Sequence, residues 1–189
     1  NKGQSQARVV LHFEAGTYAL TDSIQMQLAS IVNKTMFPVY ASLKNDRLLY
    51  ERAYLKVSMW VSLLLVPAYT LLYIFSETLV ESFLSSQWVE LYLYLKLLSI
   101  SSMIYALGGY PAELINALGR SDLAFRITFT NYLLVCIPSL ILLIGWLGAI
   151  GAPIAVIVHY TFIRASHLIA LNVVFKIKIF DLLKPMAPG

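Results

Sequence analysis

The chain has 189 residues, 59% of them hydrophobic and only 13% charged, with a mean hydropathy of +0.72 and a formal net charge of +4. A soluble domain of this size carries about a quarter charged residues, so a globule covered by water-compatible side chains is excluded and much of the surface must face lipid. The single cysteine, Cys136, excludes a disulfide scaffold or zinc cluster, and the cations lie in gaps between apolar runs rather than on one soluble face, which argues against nucleic acid.

A spanning helix needs roughly 20 predominantly apolar residues to cross a hydrocarbon core about 30 Å thick. In chain order this predicts five helices, over 13–40, 57–76, 89–111, 126–146 and 150–175, forming one all-α transmembrane bundle across 1–189 with no soluble domain. The first is the most polar, holding Asp22, Gln25, Gln27, Asn33 and Lys34. The second and fourth are free of charge through their apolar runs and contain Pro67 and Pro138, which spanning helices tolerate when neighbours satisfy the freed carbonyls. The third carries Lys96 and meets Gly108-Gly109-Tyr110-Pro111, which should kink or end it and leave Ala112–Gly119 as a short extension. The fifth holds Pro153 near its start, then His159, Arg164 and His167. Both termini read as cut from a longer chain.

The connections orient the bundle. One side collects Lys44, Arg47, Arg52, Lys56, Arg120, Arg126, Lys176, Lys178 and Lys184, whereas the opposite connections, Ser76–Glu90 and Gly145–Gly151, contain no Lys or Arg. By the positive-inside rule the basic loops 40–56, 112–126 and 176–189 are cytoplasmic. Trp88 and Trp146 then sit at the outer interface and Trp60 at the inner one.

Function has to come from polar groups that the bilayer makes costly. On the first helix Asp22, Gln25 and Asn33 fall near one line at helical spacing, with Ser23, Gln27, Ser30 and Lys34 on the next line. Such a flank needs either a water-filled cavity or a polar seam against a neighbouring helix. Arg164 follows fourteen charge-free residues, roughly 21 Å of helix. Its side chain either snorkels to the cytoplasmic surface or is compensated inside the bundle. Lys96 has the same choice toward the outer surface. His159 reads as a packing histidine, and neither His-x-x-x-His nor Cys/His spacing indicates a metal site. No catalytic residues and no cofactor are assigned.

Several runs resemble a known family. Ala7 through Leu20 (ARVVLHFEAGTYAL) resembles the entry to a transporter half in oligosaccharide flippases, the Wzx-type members of the multidrug/oligosaccharidyl-lipid/polysaccharide exporter superfamily. The likeness continues in Phe37-Pro38-Val39-Tyr40-Ala41-Ser42-Leu43 with Asp46 after it, in Arg52-Ala53-Tyr54, in Pro67, and in Glu77, Leu79, Val80, Phe83 and Trp88. It closes with Asn116-Ala117-Leu118-Gly119-Arg120. Ala7 and Leu11 depart from it, standing where the family often has glycine.

The resemblance implies a part of a two-lobed transporter of twelve to fourteen helices, with this chain supplying helices eight to twelve and the outer end of helix seven. It implies no enzyme. It implies transport of undecaprenyl-pyrophosphate-linked oligosaccharide across the bacterial cytoplasmic (inner) membrane by alternating access, in lipopolysaccharide or exopolysaccharide biosynthesis. Partners would be the lipid-linked oligosaccharide, membrane lipids and the missing N-terminal half, with polysaccharide polymerase machinery as a further candidate and nucleic acid excluded. Arg8, Lys34, Lys96 and Arg164 would meet the diphosphate, and Asp22, Gln25, Gln27 and Asn33 the sugar hydroxyls. Two alternatives stay open: a cation-coupled multidrug exporter of the same superfamily, relying on Asp22, and a membrane-embedded enzyme of glycan assembly.

Overall fold

The computed structural model describes residues 34–83 and 91–177 together with Gln27, Ser30 and Ile31. Every regular element among them is helical: α1, seen over 34–42, then α2 (Arg47–Phe83), α3 (Leu91–Ala106), α4 (Pro111–Ala117), α5 (Ser121–Asn131), a π-helical turn (Tyr132–Cys136), α6 (Ile137–Leu147), a 3-10 turn (Gly148–Ile150) and α7 (Gly151–Phe175).

Three stretches are long and apolar enough to cross a membrane, Arg47–Ser82, Leu91–Ala117 and Ser121–Phe175. The third doubles back at Gly148–Ile150, because α5 and α6 both pack against α7. Gly148 takes a positive φ of 66° at this reversal, and a side chain on Gly151 would run into the Leu143 carbonyl. The described residues thus make four passes. Much of the first expected helix, 13–40, lies outside them.

The charged hinge expected as a loop over 40–56 is mostly helix. Its turn is confined to residues 43–46, and Asp46 starts α2 by accepting a hydrogen bond from the Leu49 amide at 3.2 Å. That is an N-cap, which satisfies one of the donors a helix start leaves open. Arg47 and Glu51 then pair at 3.8 Å one turn apart. At 1.5 Å per residue the 37 residues of α2 run for about 55 Å, well beyond a hydrocarbon core. Apolar windows find the stretch in lipid, whereas the helix continues into the headgroup region. The expected loop 112–126 shrinks for the same reason, to a turn between α4 and α5.

Prolines are absorbed locally. α2 continues through Pro67 without a break. Pro138 stands two residues past the π-helical turn, which widens the helix just before the point where the proline lacks its N–H and crowds the preceding turn.

The basic turns gather at one end. Arg47 donates through a guanidinium N–H to the Lys176 carbonyl, fastening the start of α2 to the end of α7. Lys176 itself is left-handed at φ 55°, and the Ile177 amide reaches back to the Leu171 carbonyl at 3.1 Å. The larger buried core lies at this end: Tyr40, Tyr50, Tyr54, Leu114, Ile115, Ala124, Leu171 and Ile177. Elsewhere the usual order is inverted. Large apolar side chains such as Trp60, Leu64, Ile141 and Val173 are exposed, while Ser58, Ser76, Ser99, Ser101 and Ser102 are buried. Helix association in lipid favours this choice, since small residues let backbones approach and the bilayer solvates the rest.

Candidate functional site

The polar heart of the described bundle is the interruption between α3 and α4. Gly108 and Gly109 have φ of 80° and 68°, values that L side chains rarely adopt. At Gly109 a second constraint applies, because a β-carbon there would lie 2.9 Å from Ser58 Cα on α2. Pro111 then opens α4 in the first helical position, where its missing N–H does no harm.

An interrupted helix leaves carbonyls without intrahelical partners, and lipid offers them none. Here neighbouring helices supply the donors. Ser62 Oγ of α2 donates to the Ala106 carbonyl at 3.1 Å, and the Tyr54 hydroxyl, also from α2, donates to Gly108 at 2.5 Å. From the opposite side, Arg164 Nη1 of α7 donates to Gly109 at 2.7 Å.

Arg164 therefore takes the buried alternative rather than snorkelling. It is 7% exposed, and its guanidinium carbon sits 4.7 Å from the centroid of the Tyr105 ring, a cation–π distance. Its compensation is incomplete. Nε and Nη2 are buried without a hydrogen-bond partner, and the ion pairs among the described residues are Arg47–Glu51, Lys96–Glu77 and Arg120–Asp122. Around it lies an aromatic and imidazole cluster. Tyr105 packs 4.9 Å from Tyr160 and 6.3 Å from Tyr110. His159, buried with both ring nitrogens unpartnered, stacks 4.6 Å from Tyr132 on the π-helical turn. His167, one turn beyond Arg164, has Nδ1 2.9 Å from the Ile163 carbonyl.

Of the other expected site residues, three are among those described, and none of these three is placed at the interruption. Lys96 lies near the start of α3, with Nζ 3.8 Å from Glu77 Oε2 and 4.6 Å from the Tyr92 ring centroid. Ten residues of α3, roughly 15 Å, separate it from Ala106 at the interruption. Gln27 and Lys34 are helical and exposed. Arg8, Asp22, Gln25 and Asn33 lie outside the described residues. Sequence reasoning missed Tyr54, Ser62 and Tyr105. Their one available signal is the Gly-Gly-Tyr-Pro interruption, which requires donors from somewhere in the bundle.

Comparison with known proteins adds an independent line. Residues 11–93 match the family model described as polysaccharide biosynthesis protein. The chain is 24% identical over 153 residues to the lipopolysaccharide biosynthesis protein WzxC of Escherichia coli (strain K12), covering 78% of this chain and 31% of that protein. It thus spans about a third of the curated relative's length. No solved structure matches it. Bacterial outer membranes are crossed by barrels, so apolar helical spans in a chain with such a relative place it in the bacterial inner membrane. Family model, relative and spans agree: the likeness read from the sequence is real, and over most of its length this chain resembles the Wzx-type polysaccharide biosynthesis proteins.

Proposed function

We propose that the chain forms part of a flippase that moves an undecaprenyl-pyrophosphate-linked oligosaccharide from the cytoplasmic to the outer leaflet, for lipopolysaccharide or another exported glycan. A single observation carries this reading: a buried arginine, with no anionic partner among the described residues, stands at an interrupted helix inside a membrane bundle that resembles polysaccharide biosynthesis proteins. Intramembrane charge and broken helices are both expensive, and transporters concentrate them at the substrate path. A diphosphate would meet the charge of Arg164. The tyrosine and serine hydroxyls nearby suit a glycan, and the lipid tail would stay in the bilayer against the exposed apolar faces. The basic turns that gather around Arg47 and Lys176 face the cytoplasm on this reading.

Deleting the full-length gene in its native host tests the proposal. Surface polysaccharide should disappear while lipid-linked glycan accumulates on the cytoplasmic leaflet. Complementation should succeed with the wild type and fail with Arg164→Ala present at normal membrane level. Surface glycan that survives the deletion would rule out the transport role.

A further inference from the structure

The Ala106 carbonyl ending α3 also takes the Gly109 amide at 3.3 Å, and the three carbonyls that receive side-chain donors at the interruption are not held from the same side. Ala106 and Gly108 are held by α2, through Ser62 and Tyr54, whereas Gly109, the one nearest α4, is held by α7 through Arg164. Releasing Arg164 would thus free the glycine turn from α7 and leave the end of α3 fastened to α2, while Leu114, Ile115 and Leu171 keep α4 packed on α7. The backbone at that point is suited to such a change, since Gly108 and Gly109 accept conformations that other residues resist.

The guanidinium has reason to leave. It carries five N–H donors in a planar fork, yet among the described residues its charge meets a neutral carbonyl and the face of Tyr105, with Nε and Nη2 unsatisfied. A phosphate-class anion would satisfy the fork with two oxygens and neutralise the charge as well. Because Nε and Nη2 are enclosed, such an anion reaches them only when the interruption opens.

We infer that Arg164 is an anion-operated latch: it holds the Gly109 carbonyl in the closed arrangement and exchanges it for a phosphate oxygen, freeing the interruption between α3 and α4 from α7. This rests on the transport reading for its biological anion, the diphosphate of a lipid-linked glycan. A phospholipid headgroup has the same chemistry, and the two sources are separable.

The test uses the full-length protein purified in dodecyl maltoside, with inorganic pyrophosphate as one probe and phosphatidylglycerol added to the micelle as the other. Thermal unfolding and hydrogen–deuterium exchange of peptides covering 107–113 are followed for wild type, Arg164→Gln, Arg164→Lys and Tyr54→Phe. In the wild type, pyrophosphate should raise the unfolding midpoint by several degrees and speed exchange over 107–113. Arg164→Gln, which can still donate to Gly109, should lose both responses. Arg164→Lys should keep part of the thermal shift, having charge without the fork, and provides the answer if the Gln variant does not fold. Tyr54→Phe should start from a lower midpoint and retain both responses. Responses to phosphatidylglycerol alone, lost in Arg164→Gln, would keep the latch and assign it to a bilayer headgroup. Equal shifts in wild type and Arg164→Gln, no shift with either anion, or binding without faster exchange over 107–113 would overturn it. Normal glycan export alongside any of those results removes the latch and leaves the transport role standing.

Discussion

The interruption between α3 and α4 and the helix α6 are two answers to one solvent. α6 has no buried residue: Ile141 is 68% exposed and Trp146 83%. Around the interruption Leu114 and Ile115 are fully buried, and so, nearly, is the charged Arg164. In water this would be an inside-out arrangement. In lipid it follows from what each side chain gains. Leucine and isoleucine gain little by leaving acyl chains for protein, so nothing drives α6 inward. Unpaired carbonyls and charges gain a great deal, so polar groups move to the centre and bring small residues with them. Outside the larger core, burial in this bundle therefore reports hydrogen-bond need more than hydrophobicity.

That contrast can be broken by mutation. The largest effect should come from Gly109→Ala, which forces an alanine into a left-handed φ and drives its β-carbon against Ser58. Together these should cost about 3 kcal/mol or more, read as a lower unfolding midpoint in SDS–detergent titration. Tyr54→Phe should come next. It leaves the Gly108 carbonyl without its donor at nearly constant volume and should cost about 1–3 kcal/mol in the same titration. Ser62→Ala removes the more weakly placed donor to Ala106 and should cost roughly 0.6 kcal/mol, the usual size of an interhelical hydrogen bond in membranes. Ile141→Ala should have the smallest effect, under about 0.5 kcal/mol, although deleting the same atoms from a water-soluble core costs 2–5 kcal/mol. A loss at Ile141 as large as that at Tyr54 would mean that α6 is packed rather than solvated by lipid.

Much of this was legible beforehand, and the remainder was hidden for physical reasons. The Gly-Gly-Tyr-Pro interruption could be placed because φ restrictions are local. The fourth predicted helix, 126–146, runs from within α5 through the π-helical turn into α6, and the fifth, 150–175, overlaps α7, since apolar run length is set by bilayer thickness. The start of α2 was missed because an apolar window measures where lipid ends, not where the helix ends; Asp46 had carried the capping signal in plain view. Arg164 left two alternatives open because snorkelling and burial differ only in the rotation of α7, which packing against α3 decides. Tyr54 and Tyr105 could not be singled out, for nothing in a linear pattern pairs a tyrosine with a carbonyl 54 positions away. The polar flank with Asp22, Gln25 and Asn33 remains an expectation outside the described residues, beside an exposed Gln27 and Lys34.

Lipid is the solvent of the exposed apolar shell, and the burial of the polar interruption follows from that. Nitroxide spin labels at Ile141 and at Asp122, in the protein reconstituted into liposomes, test this by power saturation. The label at Ile141 should be accessible to oxygen and shielded from a water-soluble nickel chelate, and the label at Asp122 should show the reverse. Nickel access at Ile141 equal to that at Asp122 would contradict it.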